Sequence, residues 1–333
     1  MKGRVDSAAD AAETDVLFHH SVPAVFGRDF AREVRSRLDA ALPSVERIET
    51  ATTAAESDAA IGDADVVLTV RPIGDALSDG AAPDWVQTLN SGVDSYDLDA
   101  LADRGVAVTN AAGVAANPIA EQVLGYLLVF GRRIHEGIRR QERDGTWRRY
   151  SAGELGGKTL GIVGVGAIGS RVAELAAAFD MEVIGTKRTP ETAPDVVDEA
   201  YPPAGLPEVL SRSNYVVLAC PLVETTRGLI GAEELMSMRS DAVLVNVARG
   251  EVVEEAALET ALQQNRIRGA ALDVFEEEPL PPESPLWDLP NAVITPHMAG
   301  TTPKYADRIG ELFAENYRRY LAGDLSDLRN RIV

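Results

Sequence analysis

The apolar positions of the first hundred residues fall into short clusters separated by polar stretches. Asp15–Phe18, Val45–Ile48, Asp65–Val70, Trp85–Leu89 and Val106–Val108 are brief runs of the length and residue type that strands take. Between them Phe26, Phe30, Val34, Leu38 and Leu42 recur four residues apart, which aligns them on one face of a helix. A second helix is predicted over Leu98–Arg104, and Asn90-Ser91-Gly92-Val93-Asp94 supplies the small and polar residues of a turn. Strands alternating with helices predict βαβ units and a parallel sheet.

Ala111-Ala112-Gly113 breaks that pattern, and one long helix is predicted from Pro118 to Asp144. A second α/β series begins at Lys158. Its strands are expected over Thr159–Val163, Glu182–Gly185, Tyr215–Ala219, Ala242–Val247, Gly269–Asp273 and Ala292–Ile294. Helices are expected near Ile168–Phe179, Gly205–Ser211, Ala232–Met238 and Val253–Gln264. A last helix runs from Pro303 to about Leu321, with Thr302 as its N-cap and Pro303 in the first helical position. No strand follows for it to feed, so it is expected to return to the first domain and make that domain discontinuous. The fold class is α/β, with two doubly wound parallel-sheet domains.

Composition narrows the function classes. The chain of 333 residues has a formal net charge of −20, and only four of its 32 basic residues are lysine. That balance argues against nucleic-acid or anionic-membrane partners, whose phosphates are bound by basic clusters. No run approaches the roughly 18 apolar residues of a membrane span. The polar start through Glu13 lacks the apolar core of a signal peptide, and Cys220 as the single cysteine fits a reducing compartment. The expected location is the cytoplasm. Scarce lysine beside abundant carboxylates is similar to the proteins of extreme halophiles, where concentrated cations screen repulsion within the chain.

The first chemical signal is Gly164-Val165-Gly166-Ala167-Ile168-Gly169, a G-x-G-x-x-G directly after a predicted strand and before a helix. Gly164 permits the tight turn, Gly166 lets backbone approach a pyrophosphate, and Gly169 brings helix against strand. The helix's first amides then hold the anion. The next strand ends at Lys187-Arg188-Thr189, where an NAD-specific site would carry Asp or Glu. Cations there suit a 2′-phosphate, so NADPH is expected to be preferred and NADH accepted; an ordinary solvated basic turn is the plain alternative.

Further blocks follow in order: Cys220-Pro221-Leu222 with Thr225-Thr226, Val245-Asn246-Val247-Ala248-Arg249-Gly250-Glu251, Gly269 to Pro279, and Thr295-Pro296-His297. With the glycine turn, Asn90 to Asp94 and Ala120-Glu121, they resemble the D-2-hydroxyacid dehydrogenase family over most of the chain from about residue 60. The resemblance implies two Rossmann- or flavodoxin-like lobes with a cleft between them. Residues 1–111 plus 300–333 would form the substrate-binding domain and residues 112–299 the dinucleotide-binding domain. It also implies a homodimer formed through the helix after Pro118 and the Gly145-Thr146-Trp147 arm.

On the same resemblance the catalytic residues are Arg249, Glu278 and His297, acting on a small 2-oxo or 2-hydroxy carboxylic acid. Reducing a 2-oxo acid requires a hydride at the carbonyl carbon and a proton at its oxygen. A histidine exchanges that proton near neutral pH. A carboxylate orients the imidazole, and a guanidinium fork pairs with the substrate carboxylate. Ser91, Gly92 and Arg71 match substrate-side positions, and Pro221, Thr226, Val247, Asp273 and Gly300 match cofactor-side ones. A buried structural role competes for Asp273, and a surface role for Arg71. Asn117-Pro118-Ile119 departs from the usual small or hydroxyl residues before Ala120-Glu121. No metal is expected. Glyoxylate or hydroxypyruvate reduction is the narrower alternative, and a nucleotide-sensing corepressor of the same fold is the alternative in another class.

Overall fold

Aliphatic and β-branched runs with no polar alternation form strands covered on both faces, as parallel sheets require. The computed structural model describes residues 14–41, 47–74, 77, 82–143, 145 and 147–333. They divide into two compact units, unit 1 up to Val114 together with Pro303–Val333, and unit 2 over Ala115–Thr302. Both crossings lie three residues beyond the expected boundaries.

Unit 1 holds five parallel strands, β1 (Asp15–Phe18), β2 (Arg47–Thr50), β3 (Val66–Thr69), β4 (Trp85–Thr88) and β5 (Ala107–Thr109), in the order β2-β1-β3-β4-β5. This is the flavodoxin-type order, with its topological switch between β1 and β3. The helix expected from Phe26 to Leu42 is instead two, α1 (Ser21–Phe26) and α2 (Arg28–Ala41), because Gly27 leaves the helical region at φ 87°. Strand β2 lies two residues later than expected. Leu42, Val45 and Glu46 fall outside the described residues. Helices α3 (Ala54–Ala60) and α4 (Leu98–Asp103) complete the N-terminal part.

The C-terminal helix, Tyr305–Leu321, closes this unit's core. Phe313 stacks on Trp85 with ring centroids 4.9 Å apart, and the Trp85 indole donates to Thr109 Oγ1 at 2.7 Å. Each such large side chain contributes roughly 1.5–3 kcal/mol by leaving water. The last residues then pair with β5: Ile332 N donates to Val108 O and Val108 N to Val333 O. The expected cap is not seen. Pro303 and Lys304 form the turn before the helix, and Lys304 rather than Thr302 occupies the N-cap position, with no side-chain cap bond.

Unit 2 carries seven parallel strands, β6 (Thr159–Val163), β7 (Glu182–Thr186), β8 (Glu199–Tyr201), β9 (Tyr215–Leu218), β10 (Val243–Asn246), β11 (Gly269–Leu272) and β12 (Ala292–Ile294), in the order β12-β11-β10-β9-β6-β7-β8. The switch point lies between β6 and β9, the place where open α/β sheets bind ligands at strand carboxyl ends. Strand β8 has only three residues at the sheet edge, too short and polar to read from pattern. The long helix expected from Pro118 is broken into α5 (Ala116–Gly131) and α6 (Ile134–Arg143). Arg133, at φ 54°, cannot continue an α-helix. Half of α5 is buried, whereas no residue of α6 is. Asp144 lies outside the described residues. Helices α7 (Ala167–Ala177), α8 (Leu206–Arg212), α9 (Ala232–Ser237) and α10 (Glu255–Gln263) complete the unit. Among the described residues no helix is long and apolar enough to cross a membrane.

Candidate active site

The glycine turn joins β6 to α7 at the switch point. Gly164 has φ 99°, and a Cβ there would lie 2.7 Å from Cys220 N; at Gly169 a Cβ would meet Gly164 O at 2.4 Å. Neither position accepts a side chain. Gly166 has open space beside it, and Gly166 and Ala167 are exposed at the start of α7, with Ile168 half-buried behind them. An eleven-residue helix presenting exposed first amides beside such a turn fits a pyrophosphate. Cys220 lies against the turn, and burial pushes its thiol up to about 11, so it remains uncharged there.

At the end of β7 the two cations differ. Lys187 Nζ donates to Val165 O at 2.6 Å and so braces the glycine turn. Arg188 and Thr189 are exposed. Loop 221–226 is tied by Thr226, whose hydroxyl donates to Pro221 O at 2.7 Å and accepts from Val223 N at 2.8 Å. Val247 is buried, and Gly300 is half-buried with Ala115 Cβ 3.5 Å from where its own Cβ would stand.

Arg249 follows β10 on a loop clamped by a buried asparagine. Asn246 Nδ2 donates to Arg249 O at 2.9 Å while its Oδ1 accepts from Ala248 N at 3.0 Å. The guanidinium donates to Ala248 O at 2.7 Å. Sequence reasoning gave Asn246 no role; a polar residue ending an apolar strand was the signal. Gly250 packs directly on the main chain of the next loop, since a Cβ there would sit 1.8 Å from the Phe275 carbonyl carbon. That backbone contact fixes the Arg249 loop against the loop that bears the carboxylates.

Only one of the three consecutive glutamates meets the histidine. Glu278 Oε2 lies 2.7 Å from His297 Nδ1, and Glu278 Oε1 accepts from Phe275 N at 3.0 Å. Glu276 is used elsewhere, accepting from Glu255 N and donating its own amide to the Glu255 carboxylate. The His297 side chain is 53% exposed, so its other ring nitrogen is open to a ligand while Nδ1 is held. Asp273, 2% exposed, accepts from Met298 N at 3.0 Å and Ala299 N at 2.9 Å. Its carboxylate is committed to the histidine loop, the structural role that competed with a cofactor contact.

Ser91, Gly92 and Arg71 belong to unit 1. The Ser91-Gly92 turn is anchored by Asn110 Nδ2 donating to Ser91 O at 2.7 Å and Asn90 Nδ2 donating to Val70 O at 2.7 Å. Arg71 is exposed at the end of β3, its amide donating to Thr69 Oγ1 at 3.1 Å. Among the described residues no group of three His, Cys, Asp or Glu side chains could hold a metal ion.

Residues 124–299 match the family described as D-isomer specific 2-hydroxyacid dehydrogenase, NAD binding domain. A glyoxylate reductase of Thermofilum pendens is 37% identical over 74% of this chain and 74% of its own length. A D-3-phosphoglycerate dehydrogenase of Methanocaldococcus jannaschii is 34% identical over 86% of this chain, a match that spans 56% of that enzyme. Among solved structures, a D-isomer specific 2-hydroxyacid dehydrogenase from Xanthobacter autotrophicus Py2 in complex with NADPH and MES superposes with a TM-score of 0.81 at 30% identity, covering 97% of this chain and 98% of that one.

Proposed function

The chain belongs to the D-isomer specific 2-hydroxyacid dehydrogenase family, a family of nicotinamide-dependent oxidoreductases, and on that premise we propose that it reversibly reduces short 2-oxo carboxylic acids to D-2-hydroxy acids with NADPH preferred over NADH. The observation that carries the reading is the 2.7 Å pairing of Glu278 with His297 Nδ1, on the same unit as the glycine turn. When bound, the dihydronicotinamide supplies the hydride that reaches the carbonyl carbon.

His297 donates a proton from its free Nε2 to the carbonyl oxygen, and accepts it back in the oxidative direction. Glu278 fixes the ring so that Nε2 faces the ligand. Arg249 pairs with the substrate carboxylate and polarises the carbonyl. In unit 1, Ser91, Gly92 and Arg71 are proposed as substrate contacts. The name of the Thermofilum relative supports glyoxylate as the first acid to try. The exposed Arg188 supports the NADPH preference, as does the cofactor in the Xanthobacter structure.

Initial rates of NADPH and NADH oxidation, in multimolar salt across a short series of 2-oxo acids, test the reading. Turnover that is faster with NADPH is expected, and Arg188→Ala should narrow the preference by about tenfold, the worth of one charge-assisted contact. His297→Asn should lower kcat by about 10²–10⁴-fold, the usual contribution of a general acid. Cofactor binding without turnover of any 2-oxo acid would overturn the enzymatic reading in favour of a sensor.

A homodimer is part of the same proposal. Helix α6 leaves Ile138 51% exposed, and Trp147 beyond it is fully exposed, apolar surface that a partner copy would cover. Light scattering should give twice the 35.6 kDa chain mass. The single cysteine supports a reducing, cytoplasmic setting.

A further inference from the structure

We propose that Tyr126 is a positioning residue for the reaction, holding the His297 loop through Thr295 and Asp273; this rests on the reading of His297 as the acid–base group. A one-way chain of hydrogen bonds runs beneath that loop. Gln122 Nε2 donates to the Tyr126 hydroxyl at 3.0 Å, Tyr126 donates to Thr295 Oγ1, and Thr295 donates to Asp273 Oδ1 at 2.5 Å. The direction follows from the chemistry. A carboxylate only accepts, so Thr295 spends its single proton on Asp273 and offers a lone pair to Tyr126. Burial raises the phenol's pKa, which keeps Tyr126 a donor.

The geometry gives this chain a purpose. Asp273 holds Thr295 on one side of His297 and the Met298 and Ala299 amides on the other, and its carbonyl accepts from His297 N at 2.8 Å. His297 sits at φ 48°, a conformation that a residue with a side chain keeps only where its surroundings over-determine it. Ionisable groups reach the loop from two sides, Glu278 at the ring and Asp273 with Tyr126 beneath the backbone. Loosening the lower side lets the backbone relax and carries the ring off Glu278. Tyr126 stands on α5, 169 residues from Thr295 in sequence, and belongs to none of the chemical blocks. It never touches the reacting atoms, so its effect is on proton delivery alone.

Tyr126→Phe removes the donor and keeps the ring; Thr295→Val removes the hydroxyl at constant shape, and Thr295→Ser returns it. In Tyr126→Phe and Thr295→Val we expect kcat to fall about tenfold while the Kd for NADPH, read by fluorescence, stays within about twofold. The solvent deuterium isotope effect on kcat should rise as proton transfer becomes slower, and Thr295→Ser should recover most of the rate. Wild-type kcat and isotope effect in Tyr126→Phe would overturn the proposal. Parallel losses of kcat and NADPH affinity would also overturn it, by showing general damage to the unit. His297→Asn separates the two readings. Full turnover in that variant removes the acid–base assignment itself, whereas its loss beside an unaffected Tyr126→Phe removes only the positioning role.

Discussion

His19 shows how one side chain ties stability to pH. It directly follows β1 at the switch point of unit 1, 4% exposed, with Nδ1 2.8 Å from Ser21 Oγ. Burial first, then the neighbouring His20 and Arg71, lower its pKa from 6.5 to about 4, against a smaller upward pull from Asp58. The folded chain thus resists a proton that the unfolded chain takes up near 6.5. The contribution is complete above pH 6.5, falls as pH drops through the window between 6.5 and 4, and is gone below it. On the order of 3 kcal/mol is at stake from a shift of that size. Chemical denaturation at pH 7 and pH 5 should reveal a loss of stability that His19→Asn largely abolishes; an unchanged pH slope in the variant would remove His19 as the cause.

Among the elements, contact between loops matters more than the strands that launch them. Gly250→Ala must force apart the main chains of the Arg249 loop and Phe275, since no rotamer change relieves a clash between backbones. A displacement of about 1 Å is expected to cost kcat on the order of a hundredfold, with a lower melting temperature from overpacking of about 1–3 kcal/mol. Activity within a few-fold of wild type would show that the two loops are not coupled. The same scale explains what the sequence disclosed. Strands such as Thr159–Val163 and Ala292–Ile294 were legible to the residue, because short aliphatic runs between turn formers have few other solutions. Helix breaks at Gly27 and Arg133 were not, because one backbone angle rather than periodicity decides them. At the site, the resemblance to the dehydrogenase family brought Glu278 and His297 to attention together. The clamp of Asn246 and the link from Tyr126 to Thr295 depend on which strand and helix become neighbours, and local pattern carries no such information.

For the molecule as a whole, charge sets the working conditions. A net −20 with ion pairs that are mostly exposed, such as Arg32–Asp29 and Arg171–Glu174, leaves little internal compensation, since exposed pairs each contribute at most about 1 kcal/mol. Screening shortens from about 10 Å in 0.1 M salt to about 3 Å in 1 M. Dialysis from multimolar salt into dilute buffer is therefore expected to abolish the native circular dichroism and to be slowed by added salt. Full stability in dilute buffer would refute adaptation to salt.

Unit 2 is one unbroken stretch, whereas unit 1 waits for Pro303–Val333, whose helix covers Trp85 and whose last residues pair with β5. During translation the nucleotide-binding unit has all its strands while the sheet begun first still lacks its closing helix. Domains fold as they are completed on the ribosome, so the order of maturation reverses the order of synthesis. Until Pro303–Val333 has emerged, the half-built unit exposes the apolar face around Trp85 to other nascent chains, while the unit made second is already complete.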